Sequence, residues 1–329
     1  MENPARKETN KLLDDLEKRI AEEYGKAAEE MKEKANKYFE RFKERDEKQK
    51  ELVKNGQLSQ SDYLKWRTSA MTYNKRYTDM VDHLTTIAVK SDQEAVKWSK
   101  DILPDVFATN ANYGQFEAEV LTGVEKSWTL YNREAVVQLA RNDPDLLPAI
   151  NPESPKGKWL AENKDKIWNK RHINSAILQG ILQGEGVVDI AKRLTDVTDM
   201  DSRAAIRNAR TMVTSAENRG KKYAYEMADE MGLHVKNMWM ATHDGRTRIS
   251  HSLLDGQVRE LDEEFSNGLM YPGDPDGDDN EIYNCRCSLV AYTDYSIETI
   301  WAFRARTGMQ ADPDKAWSDW KAAQEAKKG

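Results

Sequence analysis

The chain has 329 residues and a net charge of −7, from 57 acidic and 50 basic side chains. That balance excludes a general duplex-DNA binder, which needs clustered Lys and Arg to displace counterions, and leaves open only a local basic contact. No apolar run approaches the roughly 20 residues that span a bilayer, and Met1 to Lys7 lacks the apolar stretch of a secretory signal, so a membrane partner is excluded and synthesis in a cytoplasm is expected.

At this length two domains are expected, or one domain with a long helical extension. The first fifty residues read as one amphipathic helix, with Leu13, Leu16, Ile20, Tyr24, Ala27, Met31, Ala35, Tyr38 and Phe42 in steps of three and four. Such a stripe packs on the chain's own domain, the favoured reading, or docks as an arm on a partner. Asn55-Gly56 is a turn signal, and Ser59 or Ser61 caps the next predicted helix, through Tyr63, Trp66, Met71, Tyr77 and Val81. A helix is predicted over 92–101, with a break at Pro104. An irregular stretch over 109–123 follows, punctuated by Gly114 and Gly123, and then a helix over 125–141. The loop-like tract 142–157 is the candidate hinge.

Beyond it the pattern predicts helices over 158–180, 187–194 and 201–232, the last opening on an Asp201-Ser202 cap and closing at Gly232. A strand over 233–242, one helical turn over 249–254 and a tight turn at Asp255-Gly256 follow. Next come a strand over 257–261, a polar loop over 268–281, a strand over 288–292, and helices over 296–307 and 314–326. The fold class is mainly α with a small C-terminal α+β module. The expected division is a helical N-terminal region over 1–150, a domain over 151–295 with its core at 233–293, and a helical tail over 296–329.

Chemistry concentrates near the end of the chain. Cys285 and Cys287 are the two cysteines. One residue apart, they cannot staple distant segments, and a bond between them closes a strained ring, so free thiols or metal ligands remain. His243 and His251 would complete a tetrahedral zinc site with them. The Cys-x-Cys spacing is tighter than the usual zinc-finger spacing. A hydrogen-bonded network of Asp244, Arg248, His251 and Asp255 above buried thiols therefore ranks ahead of zinc, the one cofactor in view. Arg246, Arg248 and Arg286 are suited to bidentate pairing with Asp244, Asp255 or Asp274. The acidic run Asp274 to Asn280 has Asp279 where a calcium loop needs Gly and Cys285 where it needs Glu, and reads as a solvated loop.

Trp239, Asp244-x-Arg246-x-Arg248-x-x-His251, Asp255-Gly256, the Pro/Asp loop with Asp274, and Asn284-Cys285-Arg286-Cys287 stand in that order. This set resembles the signature of the phage Mu F-like head-morphogenesis (minor capsid) family. Upstream, Ala209-Arg210-Thr211 and Ala216-Glu217-Asn218 resemble the helix leading into that signature, with Met212 where the family often has Glu. The resemblance covers about residues 170 to 293. It implies a virion component packaged in few copies near the portal, acting in head assembly or DNA release. Its implied partners are portal protein and major capsid or scaffold protein, with a local contact to packaged DNA left open. No Ser-His-Asp elbow, phosphate-binding Gly loop or His-Glu-x-x-His helix is present, so no catalytic residue is assigned and a non-enzyme is expected. Two alternatives stand beside this. One is a metal-assisted hydrolase or nuclease with His251 as base, Asp244 orienting it and Arg248 on phosphate. The other is an oligomeric helical scaffold built on the first hundred residues.

Overall fold

The computed structural model describes residues 3–150, 166–294, 305 and 312–327. Among the described residues, seven α-helices precede the sheet: α1 (Pro4–Glu40), α2 (Lys43–Lys54), α3 (Gln60–Thr72), α4 (Lys75–Thr122), α5 (Arg133–Asn142), α6 (Lys166–Leu182) and α7 (Val187–Glu230). Then come β1 (Lys236–Met240), α8 (Ile249–Leu254), β2 (Val258–Arg259), the single turn α9 (Asp279–Ile282), β3 (Ser288–Tyr292) and α10 (Pro313–Ala326). The strands form one antiparallel sheet in the order β2-β1-β3, with Met238 opposite Val258 and Trp239 opposite Leu289. The chain is thus mainly α with a small α+β module near its C-terminus. The predicted helix over 296–307, the start of that over 158–180 and part of the candidate hinge lie outside the described residues.

Two compact units share the chain discontinuously. The first holds Met1–Leu16, Trp98–Leu160 and Arg207–Gly329; the second holds Glu17–Lys97 and Ala161–Ile206. In the second, Met31, Ala35 and Phe39 of α1 share a core with Leu84 of α4 and with Ile177 and Ile190 of α6 and α7. Its polar hub is Arg67, whose side chain is fully buried. The guanidinium meets Asp46 at 3.0 Å and donates to Ile181 O at 2.9 Å, and so ties off the end of α6. Tyr63 also donates to Asp46, at 2.9 Å.

The amphipathic stripe is buried from Leu16 to Phe42, but the predicted fifty-residue helix is two helices. Phe42 N–H bonds to Phe39 O, a three-residue turn that ends α1 before α2 begins. Three further predictions are corrected. Pro104 does not break α4, because Leu103, Val106 and Phe107 around it are fully buried, and this packing outweighs the missing backbone donor. The stretch 125–132 is extended rather than helical, since its backbone bonds are taken by side chains. Asn112 brackets Tyr131 at 2.8 and 2.9 Å, Gln324 accepts from Trp128 N at 3.1 Å, and Asn132 then caps α5. Helices 187–194 and 201–232 are one helix: the buried stripe Ile190, Leu194, Val197 continues through Asp201, which is itself buried rather than an exposed cap.

Gly114 is no punctuation mark either. It lies within α4 in the first unit, where a Cβ would stand 2.7 Å from Ala224 Cβ of α7. Gly220 of α7 does the reciprocal, its would-be Cβ standing 2.6 Å from Phe107 O. These glycines set the spacing of two helices whose backbones nearly touch. Gly220→Ala forces Cβ into backbone, and should lower unfolding stability by about 1–3 kcal/mol, read as a fall in denaturant midpoint. An unchanged midpoint would show that the contact is loose.

Candidate functional site

The C-terminal half of α7 turns a polar stripe inward. Thr211, Thr214, Asn218 and Lys221 recur at three- and four-residue steps, so they share one face, and each meets the backbone of the segment 284–289. Thr211 Oγ1 accepts from Asn284 N at 3.2 Å, and Thr214 Oγ1 donates to Cys285 O at 3.0 Å. Asn218, fully buried, donates to Cys287 O at 3.3 Å and to Pro272 O at 2.9 Å, and accepts from Leu289 N at 2.7 Å. Lys221 Nζ donates to Leu289 O at 3.2 Å. On the same helix Glu217 accepts from Arg6, whose guanidinium also donates to Ser288 Oγ at 2.6 Å and Arg286 O at 3.0 Å. The run Asn-Cys-Arg-Cys thus has its backbone groups met from the helix and from the start of α1.

Trp239 is fully buried on β1 and stands edge-on to the rings of His251 (5.3 Å between centroids) and Phe265 (5.2 Å). After β1, Asp255 accepts from Ala241 N at 2.8 Å and Thr242 donates to Arg286 O at 2.7 Å. Gly256, at φ 75°, makes the turn that returns its N–H to Trp239 O at 2.8 Å. Asp274 is a buried turn residue, accepting from Met270 N at 2.9 Å and Asp276 N at 3.0 Å. The solvated acidic loop predicted there is thus partly folded in, and Asp278 caps α9.

Three candidate residues meet at the centre. His251 on α8 points Nδ1 at both sulfurs, 3.6 Å from Cys285 Sγ and 3.4 Å from Cys287 Sγ. All three are about 2% exposed. Nε2 of His251 lies 3.0 Å from Glu281 Oε2. The Cys285 thiol donates to Cys287, which with burial pushes Cys285 up and holds Cys287 down as the thiolate of the pair; His251 also lowers Cys287.

The structure does not assemble Asp244, Arg248, His251 and Asp255 into one network. Asp244 pairs bidentately with Arg286, at 2.8 Å for one contact, and that guanidinium holds its carboxyl well below the usual carboxylate range. Arg246 approaches Asp244 only at 3.6 Å, and Arg248 donates to Tyr283 O instead of to a carboxylate. Asp244 therefore does not orient His251; Glu281 is the carboxylate beside its ring, at ion-pair distance without an aligned hydrogen bond. His243, proposed as a fourth metal ligand, is exposed and sits 3.2 Å from Asp255, so the donor set narrows to His251, Cys285 and Cys287, whose ligand atoms lie within 4.8 Å of one another. Glu281, Thr214, Lys221 and Arg6 were missed. Thr214 and Lys221 were legible as partners of Thr211 and Asn218 on one helix face; Arg6, some 280 residues from its acceptors, carried no local signal.

Asn284 adopts φ 55°, in the left-handed region that Asn tolerates and β-branched residues do not. Asn284→Gly should leave stability near wild type, whereas Asn284→Val should cost about 1–3 kcal/mol in chemical denaturation. Equal losses in both would mean that the side chain rather than the backbone matters.

Residues 171–290 match the family described as Phage Mu protein F like protein. The chain is 26% identical over 309 residues to "Minor head protein GP7" of Bacillus phage SPP1, covering 92% of this chain and 91% of that protein. It is 32% identical over 139 residues to "NAD(+)--arginine ADP-ribosyltransferase EFV" of Enterococcus faecalis, a match to 42% of this chain and 28% of that protein. An uncharacterized protein, YqbB of Bacillus subtilis, is 26% identical over 174 residues, 46% of this chain and 55% of that protein. No solved structure matches. The matched stretch contains the α7 stripe, Trp239, His251 and both cysteines, and over it the chain is similar to the phage Mu F-like family.

Proposed function

We propose that the chain is a minor head protein of a bacteriophage, carried in few copies near the portal vertex, and acting in head assembly or in release of DNA. The observation that carries this reading is the similarity to a minor head protein along nearly the whole of both chains. At the coarser level, a phage head-morphogenesis protein located in the virion, the family match over 171–290 agrees with it. The helical first 150 residues offer the docking surface for portal, major capsid or scaffold protein, and the segment around 284–289 supplies a stiff module.

The geometry suits such a part. The motif side chains are engaged in holding loops: Arg286 on Asp244, Asp255 on a backbone N–H, Arg248 on a carbonyl. His251 is enclosed by Trp239, Glu281 and two sulfurs. The activity in the name of the ADP-ribosyltransferase relative belongs to that protein, of whose length the match covers 28%. No helix among the described residues is long and apolar enough to cross a membrane.

Co-expression of the tagged full chain with its phage's portal and major capsid proteins tests the proposal. Proheads purified by sedimentation should carry the chain at a few copies per particle, counted by quantitative mass spectrometry, and disrupted proheads should release it bound to portal. Its absence from purified proheads and virions would overturn the reading.

A further inference from the structure

We propose that His251, Cys285 and Cys287 form a zinc site that locks α8 to the turn before β3. Zinc–sulfur and zinc–nitrogen bonds of about 2.3 and 2.0–2.1 Å, at tetrahedral angles, put ligand nitrogen and sulfur about 3.6 Å apart. The two Nδ1–Sγ distances are 3.6 and 3.4 Å. A tetrahedron with those three corners is already outlined.

The surroundings supply what a metal-bound histidine and thiolates need. A ligating imidazole gives its other ring N–H to a carboxylate, which fixes the tautomer and raises the basicity of the ligating nitrogen. Glu281 Oε2 lies 3.0 Å from His251 Nε2, on the side of the ring away from the sulfurs; the two make no aligned hydrogen bond as they stand, and a small turn of the carboxylate would let it take that N–H when metal binds. Both sulfurs are buried beside the imidazole, where no other side chain among the described residues takes them up. Among the described residues the protein donors are these three, one short of the closed set usual for structural zinc, so the proposed site takes a water as its fourth ligand. Binding releases the one remaining thiol proton, that of Cys285, to solvent and leaves both sulfurs as metal-bound thiolates, with a neutral imidazole as the third ligand.

The location gives the site its role. The ligands come from a six-residue helix and from a segment just before β3, both too short to be held by their own backbone bonds. A metal bound only in the folded state stabilises the module by mass action. Glu281 is a positioning residue, acting through His251.

The full chain, purified under reducing conditions without chelator, should contain one zinc per molecule by elemental analysis. Removing it with a chelator should lower the melting temperature, and adding zinc back should restore it. Cobalt added to the metal-free chain should give the thiolate charge-transfer band and the visible absorption of a tetrahedral site. Cys287→Ser should weaken that band by about half, leaving the single thiolate of Cys285, and Glu281→Gln should keep the fold but bind zinc about 10–100-fold more weakly. Absence of zinc together with no thermal shift on adding it would overturn the proposal. So would cobalt binding without a thiolate band in the wild type, a reading that does not depend on any variant folding. Unchanged zinc affinity in Glu281→Gln would overturn the role of Glu281.

Discussion

The backbone between Asn284 and Leu289 must enter a buried module before it can pair as a strand, and its N–H and C=O groups cannot be left unmet there. The side chains of α7 meet them. Asn218 is central, because one amide contacts the backbone of Pro272, Cys287 and Leu289 at once. Each such group left unpaired in the interior costs about 1–3 kcal/mol, so this polar stripe holds the chain at the point where apolar packing alone would leave its path undetermined. Once Leu289 is fixed, β3 takes its register on β1, Trp239 lies opposite Leu289, and its ring closes over His251 and Phe265. The Cys–His cluster is a consequence of that order of placement.

Much of this order was legible in the sequence. Apolar periodicity located the buried stripe of α1, and the short strand predicted over 288–292 is β3 at its observed bounds. The run from Trp239 to Cys287 located the site through its resemblance to a family signature, and the structure supplies the reasons for its residue types: positive φ at Gly256 and Asn284, and a backbone N–H held by Asp255. The failures have a common cause. Pro104 and Gly114 were read by local propensity, which tertiary packing overrode. The stretch 125–132 looked helical because the side chains that hold it extended, Asn112 and Gln324, lie far from it in sequence. Nor could spacing choose between Asp244 and Glu281 as the neighbour of His251; that depended on which way α8 faced.

The same geometry bears on what the module contributes. Its named residues hold loops to a helix, and the helix belongs to a unit that also includes the first turns of α1, through Arg6 on Glu217 and Ser288. A part built this way keeps its shape while other surfaces make contacts, which is the property a minor head protein needs when it is assembled among larger shells. The pairing of Asp244 with Arg286 adds to this at neutral pH. With its carboxyl held below the usual range, the contribution is complete above the unfolded value near 4 and fades only as pH falls through the lower folded value.

The central claim is that the polar stripe of α7, through Asn218, holds the segment 284–289 in place. Amide hydrogen exchange on the wild-type chain and on Asn218→Ala tests it most directly. The account predicts strong protection of the Leu289 N–H in the wild type. In the variant, protection should fall across 284–292 and the paired residues of β1, while α2, α3 and α6 exchange as before. Protection of 284–292 that is the same in both proteins would contradict it.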